Sequence, residues 1–241
     1  MFPRKNIAQL AWRAGIPKRT GTSHRLYHLL YCNDLVSLGR KNSALHEAQL
    51  NILLAKRLLP GIPPFPAQLY HYYGLTNIPP LSDDIRSYLN PVKHNLILHT
   101  KSRGSAVEWS MNQWKEFISL LPPEYYNVLL TGTAEEGQLI SPFLRDFPHV
   151  TDITGRLTLE ELIALIHAAD GLVAASTGPL HIAAALGKPV VGLFSNRRPV
   201  HAGRWAPLGE RAMYLEGNVD EQGILCIKPE SVFKRVAEWL V

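Results

Sequence analysis

From residue 94 onward, four short apolar runs are separated by stretches with helical spacing. No other feature constrains the fold as much. The runs are NLILH (95–99), NVLLTG (127–132), GLVAAS (171–176) and PVVGLF (189–194). Each is short and apolar throughout, the pattern of a strand covered on both faces. Met111 to Leu121, Ala134 to Arg145 and residues 179–186 carry helical spacing. Thr158 with Glu161 three residues on forms a capping box that opens a further helix. Pro229 to Leu240 reads as a closing helix. Such an α/β alternation builds a parallel sheet with helices on both faces. Ligands of these sheets bind beyond the carboxyl ends of the strands, so the residues just after each run hold the most information.

The first quarter of the chain reads differently. Residues 4–59 are mostly helical by pattern, with turn signals at Gly15-Ile16-Pro17 and Gly21-Thr22-Ser23 and helical spacing from Leu45 to Leu59. Pro60, Pro63, Pro64, Pro66, Pro79 and Pro80 then crowd one segment, which suits a linker and not a helix or central strand. Charge follows the same division. Residues 1–60 hold ten Lys or Arg against two Asp or Glu, whereas residues 61–241 hold fifteen against eighteen. The basic segment fits either an anionic partner (nucleic acid, a lipid surface or a phosphorylated molecule) or a solvated face.

Composition removes several classes. Of 241 residues, 46% are hydrophobic and 19% charged, as in a soluble globular protein. No apolar run reaches the eighteen residues a membrane span needs. The N-terminus MFPRKNIAQL has no signal-type apolar core. Cys32 and Cys226 stand far apart without metal-ligand spacing, and a reduced cytoplasmic setting is expected. No P-loop or GxGxxG fingerprint occurs. His24 and His28 lie four apart but lack a third ligand nearby.

Three loops follow predicted strands: His99 to Ser105 (HTKSRGS), Thr131-Gly132-Thr133, and Ser176-Thr177-Gly178-Pro179. Pro179 suits the first helical position because it has no N–H to leave unpaired. Gly178 admits a close ligand, and the free N–H groups of the first turn with the helix dipole attract an anion. Ser176 and Thr177 add hydroxyls, and His181 falls within the same turn. The run Ala183-Ala184-Ala185 keeps the helix thin against the sheet. The plainer alternative is that Thr177 merely caps the helix and His181 is a partly buried helix residue. Lys101 and Arg103 in HTKSRGS bring two cations to the same sheet edge, and two such loops facing one cleft fit a diphosphate. Their plainer reading is a solvated turn.

These residues resemble glycosyltransferase family 9, the ADP-heptose:lipopolysaccharide heptosyltransferases. The resemblance rests on ADGLVAASTGPLHIAAALGKPVVGLF, supported by LHTKSRGSAVEWSMNQWKEFISLL, VLLTGTAEE, ITGRLTLEELIALIHAADGLV and RPVHAGRWAPLG. The stretches GIPKRTGTSHRLYHLLYCNDLV and RKNSALHEAQLN resemble the later part of that family's acceptor-side domain. The family implies a GT-B architecture. In this chain that means residues 1–60 as a remnant of the N-terminal Rossmann-like domain, 61–92 as linker, 93–228 as a complete nucleotide-sugar-binding Rossmann-like domain, and 229–241 as the closing helix.

The resemblance also implies roles. Lys101 and Ser102 match the loop that holds the donor phosphates, with Arg103 as a helper and Thr131 and Gly132 counted among the donor-side residues. Glu136, or Glu135 beside it, matches the acid that accepts hydrogen bonds from the ribose. Leu157 matches an apolar contact to adenine. Thr177, Gly178, Pro179 and His181 match the diphosphate turn; Ser176 stands where family members often have Asp. Arg19, Arg25, Arg40 and Lys41 would suit an acidic acceptor. The family's catalytic Asp belongs to a first turn that is expected upstream of Met1, so no residue here is assigned as the base. The expected reaction is inverting transfer of a heptose from an ADP-sugar to a lipopolysaccharide core acceptor, without a cofactor or essential metal. It is expected in the cytoplasm or at the cytoplasmic face of the inner membrane, with no nucleic-acid partner. Two alternatives remain: a remnant that binds ADP or an ADP-sugar without transfer, and a GT-B protein using another nucleotide sugar, or a related epimerase.

Overall fold

The computed structural model describes residues 4–40, 43–56 and 69–240. The chain divides into two compact units, residues 1–69 and 70–241.

The first unit contains α1 (Lys5–Arg13), β1 (Thr20–Thr22), α2 (Leu26–Tyr31), β2 (Asp34–Val36) and α3 (Glu47–Ala55). Helices were expected here, but Gly21-Thr22-Ser23, expected as a turn, runs into β1. Thr20 to Thr22 pair in parallel with Asp34 to Val36. The pairing depends on close approach at Gly21, where a Cβ would stand 2.8 Å from both the Cys32 sulfur and a ring carbon of His28. His28 is buried and its Nδ1 accepts the Thr22 N–H at 2.9 Å. That bond and the burial account for His28 without a metal. Among the described residues no three His, Cys, Asp or Glu are placed to hold one. The helical pattern expected over 45–59 is realised as α3, and residues 57–59 lie outside the described residues.

The second unit begins with a single 3-10 turn (Tyr70–Tyr72) and α4 (Asp83–Arg86). Ser82 caps α4, and the buried Ile85 packs into this unit's core. Residues 83–86 are therefore structured, although the composition of 61–92 reads as linker. Strands and helices then alternate: β3 (His94–His99), α5 (Met111–Ser119), β4 (Tyr126–Thr131), α6 (Ala134–Leu144), β5 (Thr151–Asp152), α7 (Leu159–Ala168), β6 (Gly171–Ala175), α8 (Gly178–Ala185) and β7 (Val190–Ser195). The unit closes with α9 (Ala202–Trp205), β8 (Ala212–Val219), β9 (Leu225–Cys226) and α10 (Pro229–Ala237). The sheet order is β5-β4-β3-β6-β7-β8-β9. All neighbours are parallel except β9, which runs antiparallel to β8.

Both faces of the sheet are covered. Along β3, Leu96 and Leu98 point into one core with Trp114 and Phe117 of α5, Ile140 and Phe143 of α6, and Val232 and Val236 of α10. Ile97 points into the other with Leu165 of α7 and Leu180, Ala183 and Ala184 of α8. Residues at period two therefore serve opposite cores, which is why the strand reads as apolar throughout. Gly192 of β7 lets α8 approach closely, since a Cβ there would stand 2.9 Å from a Leu180 methyl, and Ala183 and Ala184 are buried in the same core. Among the described residues no helix is long and apolar enough to cross a membrane.

Candidate functional site

Four of the expected donor-side residues meet in one cavity of about 450 Å³ at the carboxyl ends of β3 and β4. Its wall comprises Lys101, Arg103 and Gly104 after β3, Glu108 further along that loop, and Thr133, Glu135, Glu136 and Leu139 at the start of α6. The loop after β3 turns through two consecutive left-handed residues, Arg103 at φ 51° and Gly104 at φ 75°. Glycine takes that conformation freely, whereas arginine does so at a cost. Such strain collects at binding sites because surrounding contacts must enforce it.

The two neighbouring glutamates have different jobs. Thr133 caps α6: its hydroxyl accepts the Glu136 N–H at 3.3 Å, and Glu136 Oε2 accepts the Thr133 N–H at 2.8 Å. Glu136 is buried in this capping box. Glu135 is exposed instead, 4.0 Å from Arg103, a pair that stabilises little in water. Its carboxyl is held below the usual range by its own backbone N–H first, then by the Thr133 hydroxyl, with Arg103 adding attraction. Glu135 is thus ionised and available to accept hydrogen bonds from a ligand hydroxyl. Gly132 lies against Glu136, and a Cβ there would meet Glu136 Oε2 at 2.9 Å.

Lys101 and Ser102 are not idle donors. Lys101 Nζ lies 3.1 Å from Glu108 Oε2. Ser102 gives both its N–H and its hydroxyl to Glu108 Oε1, each at 2.6 Å. The spacing of the sequence could not show Glu108 in this position, because it depends on how the long β3–α5 loop folds. His99 was also missed as a partner. Its Nδ1 lies 3.0 Å from the Thr131 hydroxyl, tying β3 to β4. Burial pushes the His99 pKa down, opposed by the nearby Glu136 and Glu108 carboxylates.

The turn after β6 is a second feature of the same sheet edge. Thr177 takes the N-cap position of α8 with extended backbone, yet its hydroxyl makes no cap bond. Capping by the Thr177 side chain is therefore ruled out. Gly178 opens the helix and Pro179 follows it, one position later than expected. The His181 N–H bonds to the Thr177 carbonyl at 3.4 Å. The N–H groups of Gly178 and Leu180 thus head the first turn, and a Cβ on Gly178 would meet nothing within 4 Å. The Ser105 hydroxyl lies 3.5 Å from the Ser176 carbonyl, linking this turn to the β3 loop. Thr100, Thr177 and Ser195, at the ends of β3, β6 and β7, each bury a hydroxyl without a hydrogen-bond partner. Leu157 is half-buried against the α7–α8 core and is not part of the cavity wall.

In the first unit, the expected acceptor residues have partners of their own. Arg19 donates to the backbone carbonyls of Tyr31, at 2.7 Å, and Ile16. Arg25 lies 5.9 Å over the Tyr27 ring. Arg40 pairs with Glu47 and donates to Asn51 Oδ1 at 2.9 Å. Lys41 lies outside the described residues.

Residues 78–236 match the model of a family described as glycosyltransferase family 9 (heptosyltransferase). A Haemophilus influenzae protein that carries a provisional glycosyltransferase name, with no substrate stated, is 27% identical over 218 residues. That match takes in 87% of this chain but 62% of the relative's length. Lipopolysaccharide heptosyltransferase 2 of Salmonella typhimurium is 32% identical over 101 residues, 40% of this chain and 29% of that protein. The structure of Escherichia coli ADP-heptose lps heptosyltransferase II superposes with a TM-score of 0.72 at 23% identity, covering 98% of this chain and 74% of that one.

Proposed function

The chain belongs to glycosyltransferase family 9, and from that premise we propose that its second unit binds the nucleotide-sugar donor of a glycosyl transfer, with an ADP-heptose as donor and a lipopolysaccharide core as acceptor. The observation that carries this reading is the cavity after β3 and β4, where two cations, an exposed ionised carboxylate and an apolar side chain share one wall. Each fits a different part of the ligand. Glu135 would accept the ribose hydroxyls, Leu139 would offer an apolar surface to the base, and Lys101 and Arg103 would face the phosphates. The first turn of α8 would take the second phosphate on the Gly178 and Leu180 N–H groups, with His181 beside it.

The chemistry follows from charge. As the acceptor hydroxyl attacks the anomeric carbon, the bond to the diphosphate breaks and negative charge grows on the departing oxygens. Cations and N–H groups already fixed in place stabilise that charge without reorganising, and removing one such group typically costs about 3 kcal/mol of barrier. The acceptor side is assigned to the basic first unit, the setting to the cytoplasmic face of the membrane, and the transfer to a route without a metal.

Calorimetric titration with ADP, UDP and GDP tests the donor. ADP should bind at least about tenfold tighter than UDP or GDP, and Lys101→Ala and His181→Ala should each weaken it. Equal affinity for all three nucleotides would point to another nucleotide sugar. Unchanged ADP affinity in both variants would remove the site from this cavity.

A further inference from the structure

Glu108 occupies the place where an anion would be expected. Ser102 N–H, Ser102 hydroxyl and Lys101 ammonium all converge on its carboxylate, at 2.6, 2.6 and 3.1 Å. Those are the donors that a phosphate oxygen uses: a loop N–H, a hydroxyl and a cation. Behind it, the Glu108 carbonyl accepts the Leu225 N–H at 3.0 Å, so its backbone is anchored to β9 while its side chain reaches into the cavity. Charge in the wall gives the same picture. Lys101 and Arg103 face Glu108, Glu135 and Glu136, so the wall carries one net negative charge.

We infer that Glu108 is a resident anion that competes with the phosphates of the ligand for the Lys101–Ser102 donors. The inference rests on the donor-site reading above and adds a gate to it. An entering diphosphate takes over the three donors, and the Glu108 carboxylate turns out to water, its backbone still held on β9. The exchange penalises weakly charged anions most. A ligand with a single negative charge gains no more from the donors than Glu108 already does, and Glu108 is covalently tethered at high effective concentration. A diphosphate reaches Arg103 and further donors as well, and so wins the exchange.

Titration of pyrophosphate and of ADP into the wild-type chain and Glu108→Gln, followed by calorimetry, tests this. Glutamine keeps an acceptor for the Ser102 N–H but gives up the charge facing Lys101. Both ligands should bind Glu108→Gln about tenfold more tightly, the size expected from deleting one partly screened charge beside the site. Glu116→Gln, an exposed change on α5, controls for net charge and should leave both affinities unchanged. Equal or weaker binding to Glu108→Gln overturns the gate and makes Glu108 a positioning residue for Lys101. Tighter pyrophosphate binding with no ADP binding to either chain keeps the gate and discards the nucleotide. Binding of neither ligand to either chain discards both. A measurement on the wild-type chain alone removes any dependence on the variant's folding. The carboxyl ¹³C resonance of Glu108 should move as pyrophosphate saturates the protein, and a resonance that stays fixed at saturation refutes the exchange.

Discussion

Glu135 and Glu136 are adjacent in sequence, but one is exposed and the other buried, and a pair of substitutions separates the roles proposed for them. Glu136 accepts the Thr133 N–H at 2.8 Å from a buried position at the start of α6. Glu136→Ala deletes a charge-assisted bond and leaves a helix-start N–H without a partner, a loss of about 2 kcal/mol. In a unit of this size each kcal/mol moves the melting temperature by about 2–4 °C, so a fall of about 4–8 °C is expected. Glu136→Gln preserves the capping box and should melt close to the wild type. Glu135 contributes to no such box and stands exposed. Glu135→Ala should lower the melting temperature far less than Glu136→Ala, because Glu135 is exposed, and should weaken ADP binding about tenfold, the loss expected when a charged acceptor of ligand hydroxyls is removed. The assay is calorimetric ADP titration below the melting range of each variant, paired with thermal unfolding. If Glu136→Ala melts within 1 °C of the wild type and is the variant that loses ADP, the roles are reversed and the capping argument fails.

Two further outcomes follow from the same region. His99 is half-buried with its pKa depressed by loss of hydration, so the unfolded chain takes up a proton that the folded chain resists. Stability should be full above the ordinary histidine value near 6.5 and fall as pH drops through it, levelling only below the folded pKa; urea melts from pH 7.5 to 5 should show this slope in the wild type and a shallower one in His99→Asn, and equal slopes would refute it. Gly155 sits at φ 71° with its N–H on the Gly132 carbonyl, and a Cβ there would stand 2.8 Å from the Ala134 Cα. Gly155→Ala should therefore cost about 2–3 kcal/mol, combining left-handed strain with a backbone clash under α6; a loss below about 0.5 kcal/mol by urea melting would show that the loop shifts freely.

The central strands were legible because burial on both faces leaves a continuous apolar run, and β3, β4, β6 and β7 lie within one residue of the expected bounds. The edge of the sheet was not. Along Ala212–Val219 partly covered residues mostly alternate with exposed ones, none is buried, and Glu216 cuts the apolar stretch at four residues, so β8 lacks the pattern of a strand covered on both faces. β1 and β2 are three residues each, and their pairing depends on the contact of Gly21 with His28 and Cys32, which no local pattern encodes. The loops after the strands were legible as places, since parallel topology dictates that ligands bind there. The roles of side chains within them were not. The partner of Lys101 lies seven residues further along a loop that turns through Arg103 and Gly104 in left-handed conformation, and only the folded loop brings Glu108 back onto Ser102.

The strand order explains why this edge is the candidate for the site. From β3 the chain moves outward through β4 to β5, then returns to place β6 on the other side of β3 and continues outward through β7 and β8. The direction of travel reverses between β3 and β6. The helix that follows β3 packs into the core on one face of the sheet, and the helix that follows β6 packs into the core on the other. The two connections therefore leave the sheet edge in opposite directions and open a crevice above the paired strands, the general position of nucleotides in open parallel sheets. The two features placed at that crevice are the ones with unspent polar capacity. Thr100 and Thr177, one on each side of the reversal, bury hydroxyls without partners. The Ser105 hydroxyl reaches across to the Ser176 carbonyl, at a long 3.5 Å. On the β3 side Glu108 fills the donors; on the β6 side the first turn of α8 is capped by no side chain. A ligand with two linked anionic groups would set one on the uncapped turn of α8 and exchange the other with Glu108, so the Glu108 charge would control the affinity of the phosphate at the β3 loop.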